Sequence, residues 1–194
     1  DVYKRQSVCS PQEEEVLERT YAEIEQELFN RMEGAPIDQH IVLFLDGWES
    51  LIDNNMEVEE KTRHLVREGL SYNIHVVISA SRWNNLRANI RDSLTTRWEL
   101  RLGDTGDSIA GRKNAEQVPA LPGRGMTAGG LHFLFALQDE DGLRAIAQQW
   151  SQEEPVKPLL LLPRSVSTTQ LGPVTASSKH GYRIPLGIEG NTLG

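Results

Sequence analysis

"IVLFLDGWES", residues 41–50, sets five apolar residues in a row, ends them on one aspartate, and continues with a glycine and a tryptophan. An apolar run with no polar alternation predicts a strand buried on both faces, the pattern of parallel sheets in α/β proteins. "HVVIS" (75–79) is a second run of this kind. Between the two, Met56 to Leu70 reads as a helix that turns Val58, Leu65 and Val66 toward a core. Strand, helix and strand together predict a right-handed βαβ unit. Ligands of open parallel sheets bind beyond the carboxyl ends of the strands, and Asp46 stands at such an end.

Outward from this unit the chain alternates helices and strands. Upstream, Val16, Leu17, Tyr21, Ile24, Leu28 and Met32 recur at helical spacing between Pro11 and Glu33, with Gly34 and Pro36 as stop signals. Downstream, the pattern predicts a short helix at 86–94 and an edge-like strand "RWELRL" at 97–102. It continues with a helix at 107–118, a strand "LHFLFAL" at 131–137, a helix at 143–150 and a Pro-flanked last strand at 156–163. From Arg164 onward Ser, Thr, Gly and Pro dominate, which reads as a linker toward a following domain. The expected division is a non-native or disordered lead over 1–10, a partial α/β domain over 11–163 and a linker over 164–194. The opening "DVYKRQ" has the look of a translated adapter remnant and is set aside, and the chain reads as cut from something longer.

The 194 residues carry a formal charge of -8, which disfavours a broad phosphate-binding surface. No apolar run approaches the ~18 residues needed to cross a bilayer. The single cysteine, Cys9, rules out an internal disulfide. His40, His64, His75, His132 and His180 show no metal-ligand spacing, and the four tryptophans are scattered rather than arranged for base stacking.

An apolar strand closed by aspartate is the pattern that orders Mg²⁺ beside a nucleotide, because that ion wants hard oxygen ligands. The same spacing also serves as a turn former or helix N-cap. A phosphate loop should accompany the metal reading. "GDSIAGRKN" (106–114) has two glycines at the right separation, but Lys113 comes one place late, Asn114 replaces the expected Ser or Thr, and Asp107 repels phosphate. A true loop is therefore expected before residue 1, which predicts a sheet with an open edge. Gly47 also stands where a hydrolytic enzyme carries the glutamate that orients water.

"HIVLFLDGWESL" (40–51), "GLSYNIHVVISASRWNNLR" (69–87), "RDSLTTRWELRLGDTGDS" (91–108) and "LPGRGMTAGGLHFLFAL" (121–137) together resemble the FtsK/SpoIIIE-type ATPases. Within these they are similar to the EccC/EssC-type ATPases of type VII secretion, most of all to the second, degenerate domain, since Asp-Gly-Trp follows the strand. "YRIPLGIEGNTLG" (182–194) is similar to the junction into a third domain. The resemblance implies a RecA-like P-loop NTPase fold, truncated at its N-terminus, with a mostly parallel sheet flanked by helices. It implies Asp46 as the Walker B residue holding Mg²⁺. It further implies Ser79 and Ser81 as the segment that senses the γ-phosphate, and Arg97 as a guanidinium reading phosphate or holding a carboxylate. Arg67 falls near the segment where some FtsK-type enzymes keep an arginine that reaches a neighbouring subunit. Strand capping is the alternative for the serines, and surface or packing roles for Arg97 and Arg67.

The cofactors implied are ATP and Mg²⁺, bound with the missing upstream segment, and the isolated chain is expected to be inactive. The partners implied are neighbouring ATPase domains of the same chain, membrane subunits of a secretion complex and secreted protein substrates. The setting implied is an oligomeric, membrane-anchored protein on the cytoplasmic side. The alternatives are an FtsK-type motor on duplex DNA, or an interaction module derived from one without enzymatic activity.

Overall fold

The structure is a computed structural model and describes residues 7–136, 139–149, 151, 158–163, 165–167, 169–171, 175–177 and 181–183. Helix α1 (Glu14–Met32) lies on the core through Leu17, Tyr21, Ile24 and Leu28, spaced four, three and four apart so that they share one helical face. Strand β1 (Ile41–Leu45) leads into α2 (Trp48–Asn54) and α3 (Met56–Glu68), and a 3-10 turn (Gly69–Tyr72) returns the chain to β2 (Ile74–Ile78). β1 and β2 pair in parallel, Ile41 opposite Ile74 through Leu45 opposite Ile78, as the two apolar runs predicted. Asn73 takes the left-handed conformation (φ 57°) that lets the turn enter β2.

One core holds these parts together. Leu17, Tyr21, Ile24 and Leu28 meet Leu43 and Leu45 of β1, Trp48 and Leu51 of α2, Val58 and Leu65 of α3, and Ile74 of β2. Leu86, and Ile90 of the single-turn helix α4 (Ala88–Arg91), close it from below. Arg31 locks the helix to the strands: its guanidinium, almost fully enclosed, donates to the carbonyls of Gln39 (3.0 Å) and Tyr72 (2.6 Å) and to Glu27 (2.7 Å).

The expected burial on both faces is corrected. Leu43 and Leu45 are buried, whereas Val42 is 46% exposed and Phe44 73% exposed. Successive strand residues point to opposite faces, and among the described residues nothing covers the second face. The described β1 and β2 pair only with each other, so their sheet is open at both edges.

Strand β3 (Trp98–Leu100) belongs to a second sheet, antiparallel throughout, with β4 (Arg124–Thr127) in the middle and β5 (His132–Leu134) beyond it. Three other expectations change. The helix at 107–118 reduces to α5 (Arg112–Ala115) after a 3-10 turn (Thr105–Asp107), because Gly111 at φ 86° breaks the helical path between them. Of the strand expected at 156–163, the described residues 158–163 form no ladder, and Pro158 and Pro163 have no N–H to offer one. The helix expected at 143–150 forms one turn early, as α6 (Glu140–Gln149). In the tail, β6 (Thr175–Ser177) and β7 (Gly181–Arg183) form an antiparallel pair. The opening "DVYKRQ", and the "YRIPLGI" segment beyond Arg183, lie outside the described residues.

Candidate functional site

The parallel register brings the carboxyl ends of β1 and β2 side by side, and with them Asp46 and Ser79. Ladder bonds continue past both strands, Ser79 N–H to the Leu45 carbonyl (2.9 Å) and Trp48 N–H to the Ser79 carbonyl (2.9 Å). The Ser79 hydroxyl sits between two groups of the β1–α2 turn. It accepts from Gly47 N–H at 2.8 Å and donates to Asp46 Oδ1 in a short bond. Gly47 has φ 71° and ψ 57°, a left-handed conformation that costs glycine nothing and turns its N–H toward Ser79. Asp46 is exposed, and its Oδ2 takes no hydrogen bond from the described residues.

A second carboxylate works beside the first. Glu49, in the first turn of α2, accepts from Ser81 N–H (2.8 Å), Ser81 Oγ (2.8 Å) and Asn85 Nδ2 (2.5 Å). Its burial acts to raise the pKa, but hydrogen bonds from Asn85, its own backbone and Ser81 together hold the carboxyl at about 2. Sequence reasoning missed Glu49 and Asn85. A glutamate opening a helix ordinarily answers the helix dipole. The signal available was its place three residues after Asp46, facing a Ser-x-Ser segment.

Arg97 lies elsewhere. Its guanidinium donates to the carbonyls of Leu94 (2.9 Å) and Arg91 (2.7 Å), which pins the turn before β3. Arg67 is well exposed and paired with Glu68 at 2.6 Å. In the 106–114 stretch, Asp107 faces Arg82 at 3.7 Å, and Gly106 N–H donates to Asp104 at 2.9 Å rather than standing open to an anion. His40 and His75 meet at the opposite ends of the strands, Nδ1 to Nε2 at 2.8 Å.

The donor set suits the metal end of a metal–nucleotide. Asp46 offers a hard, exposed carboxylate oxygen, and Ser79 orients that carboxylate by a hydroxyl whose own lone pair is filled by Gly47. The phosphate end is less provided for among the described residues. Of the arginines near the loop after β2, Arg82 faces Asp107 and Arg87 pairs with Glu59 at 2.8 Å. No described helix is long and apolar enough to cross a membrane.

Comparison with known proteins finds relatives of the chain. The chain is 38% identical over 168 residues to the ESX secretion system protein EccC of Thermomonospora curvata. It is 39% identical over 151 residues to the ESX-4 secretion system protein EccC4 of Mycobacterium tuberculosis. The matches take in 79% and 77% of this chain but 12% of the length of each relative. Among solved structures, ATPases 2 and 3 of Thermomonospora curvata EccC, in complex with a signal sequence peptide, superpose with a TM-score of 0.72 at 31% identity. That match covers 97% of this chain and 40% of the other. ATPases 2 and 3 of EssC from Geobacillus thermodenitrificans share the fold at a TM-score of 0.60 and 17% identity, over 81% of this chain and 36% of theirs. The α/β architecture is that of the RecA-like P-loop ATPases. The FtsK/SpoIIIE family model matches residues 5–141, most of the chain, which therefore belongs to the FtsK/SpoIIIE family.

Proposed function

We propose that this chain is part of a nucleotide-binding, degenerate ATPase module of a type VII protein secretion motor, which couples nucleotide binding to export. The observation that carries the reading is the Asp46–Ser79–Gly47 arrangement at the carboxyl ends of two parallel strands. Asp46 holds Mg²⁺, and Ser79 fixes the rotamer of that carboxylate. When bound, the metal would neutralise phosphate charge. Phosphate-cradling groups come from chain beyond these 194 residues, consistent with relatives of which this chain matches 12%. Ser81 belongs to the same site through Glu49, whereas Arg97 serves the fold by holding two carbonyls. The partners are neighbouring ATPase domains of one polypeptide, membrane subunits of a secretion complex and exported proteins. The setting is the cytoplasmic side of the membrane. The net charge of -8 favours this reading over a motor that grips duplex DNA.

Equilibrium binding of a fluorescent ATP analogue to the full-length protein tests the reading. Asp46→Ala should weaken Mg²⁺-dependent binding about tenfold or more, and Ser79→Ala by a smaller factor. The isolated chain should not hydrolyse ATP. Magnesium affinity indifferent to Asp46, or turnover by the isolated chain that Asp46→Ala abolishes, overturns it.

A further inference from the structure

We infer that Glu49 is the positioning residue of the Asp46 site, holding the segment after β2 so that Ser79 meets Asp46; this rests on the metal-binding reading above. Asp46 and Glu49 both project from the β1–α2 turn, and Ser79 and Ser81 both from the exit of β2. The two segments are joined by two carboxylate–hydroxyl contacts side by side, Asp46 with Ser79 and Glu49 with Ser81.

The two contacts differ in strength of anchorage. The Ser79 main chain is held by its ladder bonds to Leu45 and Trp48, but its hydroxyl meets Asp46 and Gly47 in an exposed place, a weak constraint on the side chain. Glu49 gathers a backbone N–H, a hydroxyl and an amide onto Oε1. Bonds to an ionised acceptor are about twice as strong as neutral ones. Asn85 also donates to Ser81 Oγ at 3.2 Å, so the serine is fixed from two sides.

The middle of the segment is fixed as well. Trp83, in a 3-10 turn (Trp83–Asn85), donates Nε1–H to Glu99 at 2.9 Å. Glu99 is buried and also holds Ser108 Oγ (2.6 Å) and Ile109 N–H (3.0 Å). Residues 81–85 are thus held by two carboxylates, Glu49 at Ser81 and Asn85, and Glu99 at Trp83 between them. With Glu49 neutralised, Trp83 stays on Glu99 and the Ser79 main chain keeps its ladder bonds to Leu45 and Trp48, so what loosens is the stretch after Ser79 that sets the direction of its side chain.

Amide hydrogen exchange on ¹⁵N-labelled protein, with Mn²⁺ titration as the probe of Asp46, tests this. Glu49→Gln removes the charge, and Asn85→Asp keeps Glu49 but sets a like charge against it. In both variants the Gly47 amide, which Glu49 does not touch, should exchange about tenfold faster. Mn²⁺ broadening around Asp46 should need several-fold more metal, with protection of Leu43 and Leu65 unchanged. If either variant loosens the core, Asn85→Ala, which removes one of three donors, supplies the same readout at smaller amplitude. Loss of protection at Ser81 alone, with Gly47 and the Mn²⁺ response as in the wild type, reduces Glu49 to a local cap and overturns the inference. Absence of Mn²⁺ broadening in the wild type would instead sink the metal reading, and the Gly47 amide would still decide the role of Glu49.

Discussion

Tyr21 is fully enclosed between α1 and α3, its hydroxyl 2.7 Å from that of Thr62. Burial pushes the phenol up to about 12, opposed by the Thr62 bond and aided by Glu25 and Cys9. A raised folded value means the native state keeps a proton the unfolded chain releases, so this stability is whole below pH 10 and fades as pH climbs to 12. Tyr21→Phe should cost about 1 kcal/mol at neutral pH by leaving Thr62 alone, yet blunt the alkaline decline; urea melts at pH 7 and pH 11 show both. Glu49 runs the other way. Its depressed value gives stability that is intact above the ordinary 4.5 and lost as pH falls toward 2. Glu49→Gln should flatten the acid limb of a pH–stability curve over that window. Gly125 answers to space alone, since a Cβ there would stand 2.3 Å from Phe133 Cζ and 2.6 Å from the Glu99 carbonyl. Gly125→Ala should therefore cost roughly 1–3 kcal/mol in a thermal melt, because the carbonyl belongs to a paired strand and cannot retreat.

At the level of elements, α1, β1, α3 and β2 were legible because each announces itself through apolar periodicity that a single core rewards. The helix expected at 107–118 and the strand at 156–163 were misread because local backbone chemistry overrode the pattern: a left-handed glycine in one, prolines in the other. Of the antiparallel sheet the two outer strands were expected singly and the central β4 was missed, since pairing is a long-range property that no local period encodes. Asp46 was singled out because ligands of parallel sheets bind at strand ends, whereas Ser79 and Ser81 came from the family resemblance. Glu49 could not, because its partners lie 32 and 36 positions away. Arg31 was read neither as core nor as site, yet it joins three elements. Arg31→Met should cost about 2 kcal/mol in chemical denaturation, leaving the Gln39 and Tyr72 carbonyls without their donor. It should also speed exchange at Ile41, whose N–H bonds the Asn73 carbonyl at 2.9 Å.

For the whole molecule, the open face of β1 and β2 is the dominant fact. Val42, Phe44 and Val77 present apolar surface there, and Trp98, Leu100 and Phe135 do so on the second sheet. Such surfaces and open strand edges favour self-association. Phe44 gains little from folding at 73% exposure. Phe44→Ser should raise the concentration at which light scattering sets in, while shifting stability by no more than about 0.5 kcal/mol. A fall in stability of several times that size would mean Phe44 is covered after all.

Gly47 has an evolutionary consequence. A Cβ at this position meets nothing within 4 Å, so space alone does not bar a side chain from starting there. A glutamate would nonetheless inherit a left-handed backbone that disfavours any residue with a Cβ by roughly 1–2 kcal/mol, and relaxing that backbone would draw the N–H away from Ser79. Placing a water-orienting carboxylate here therefore takes two changes, one in side chain and one in turn. No single substitution supplies both.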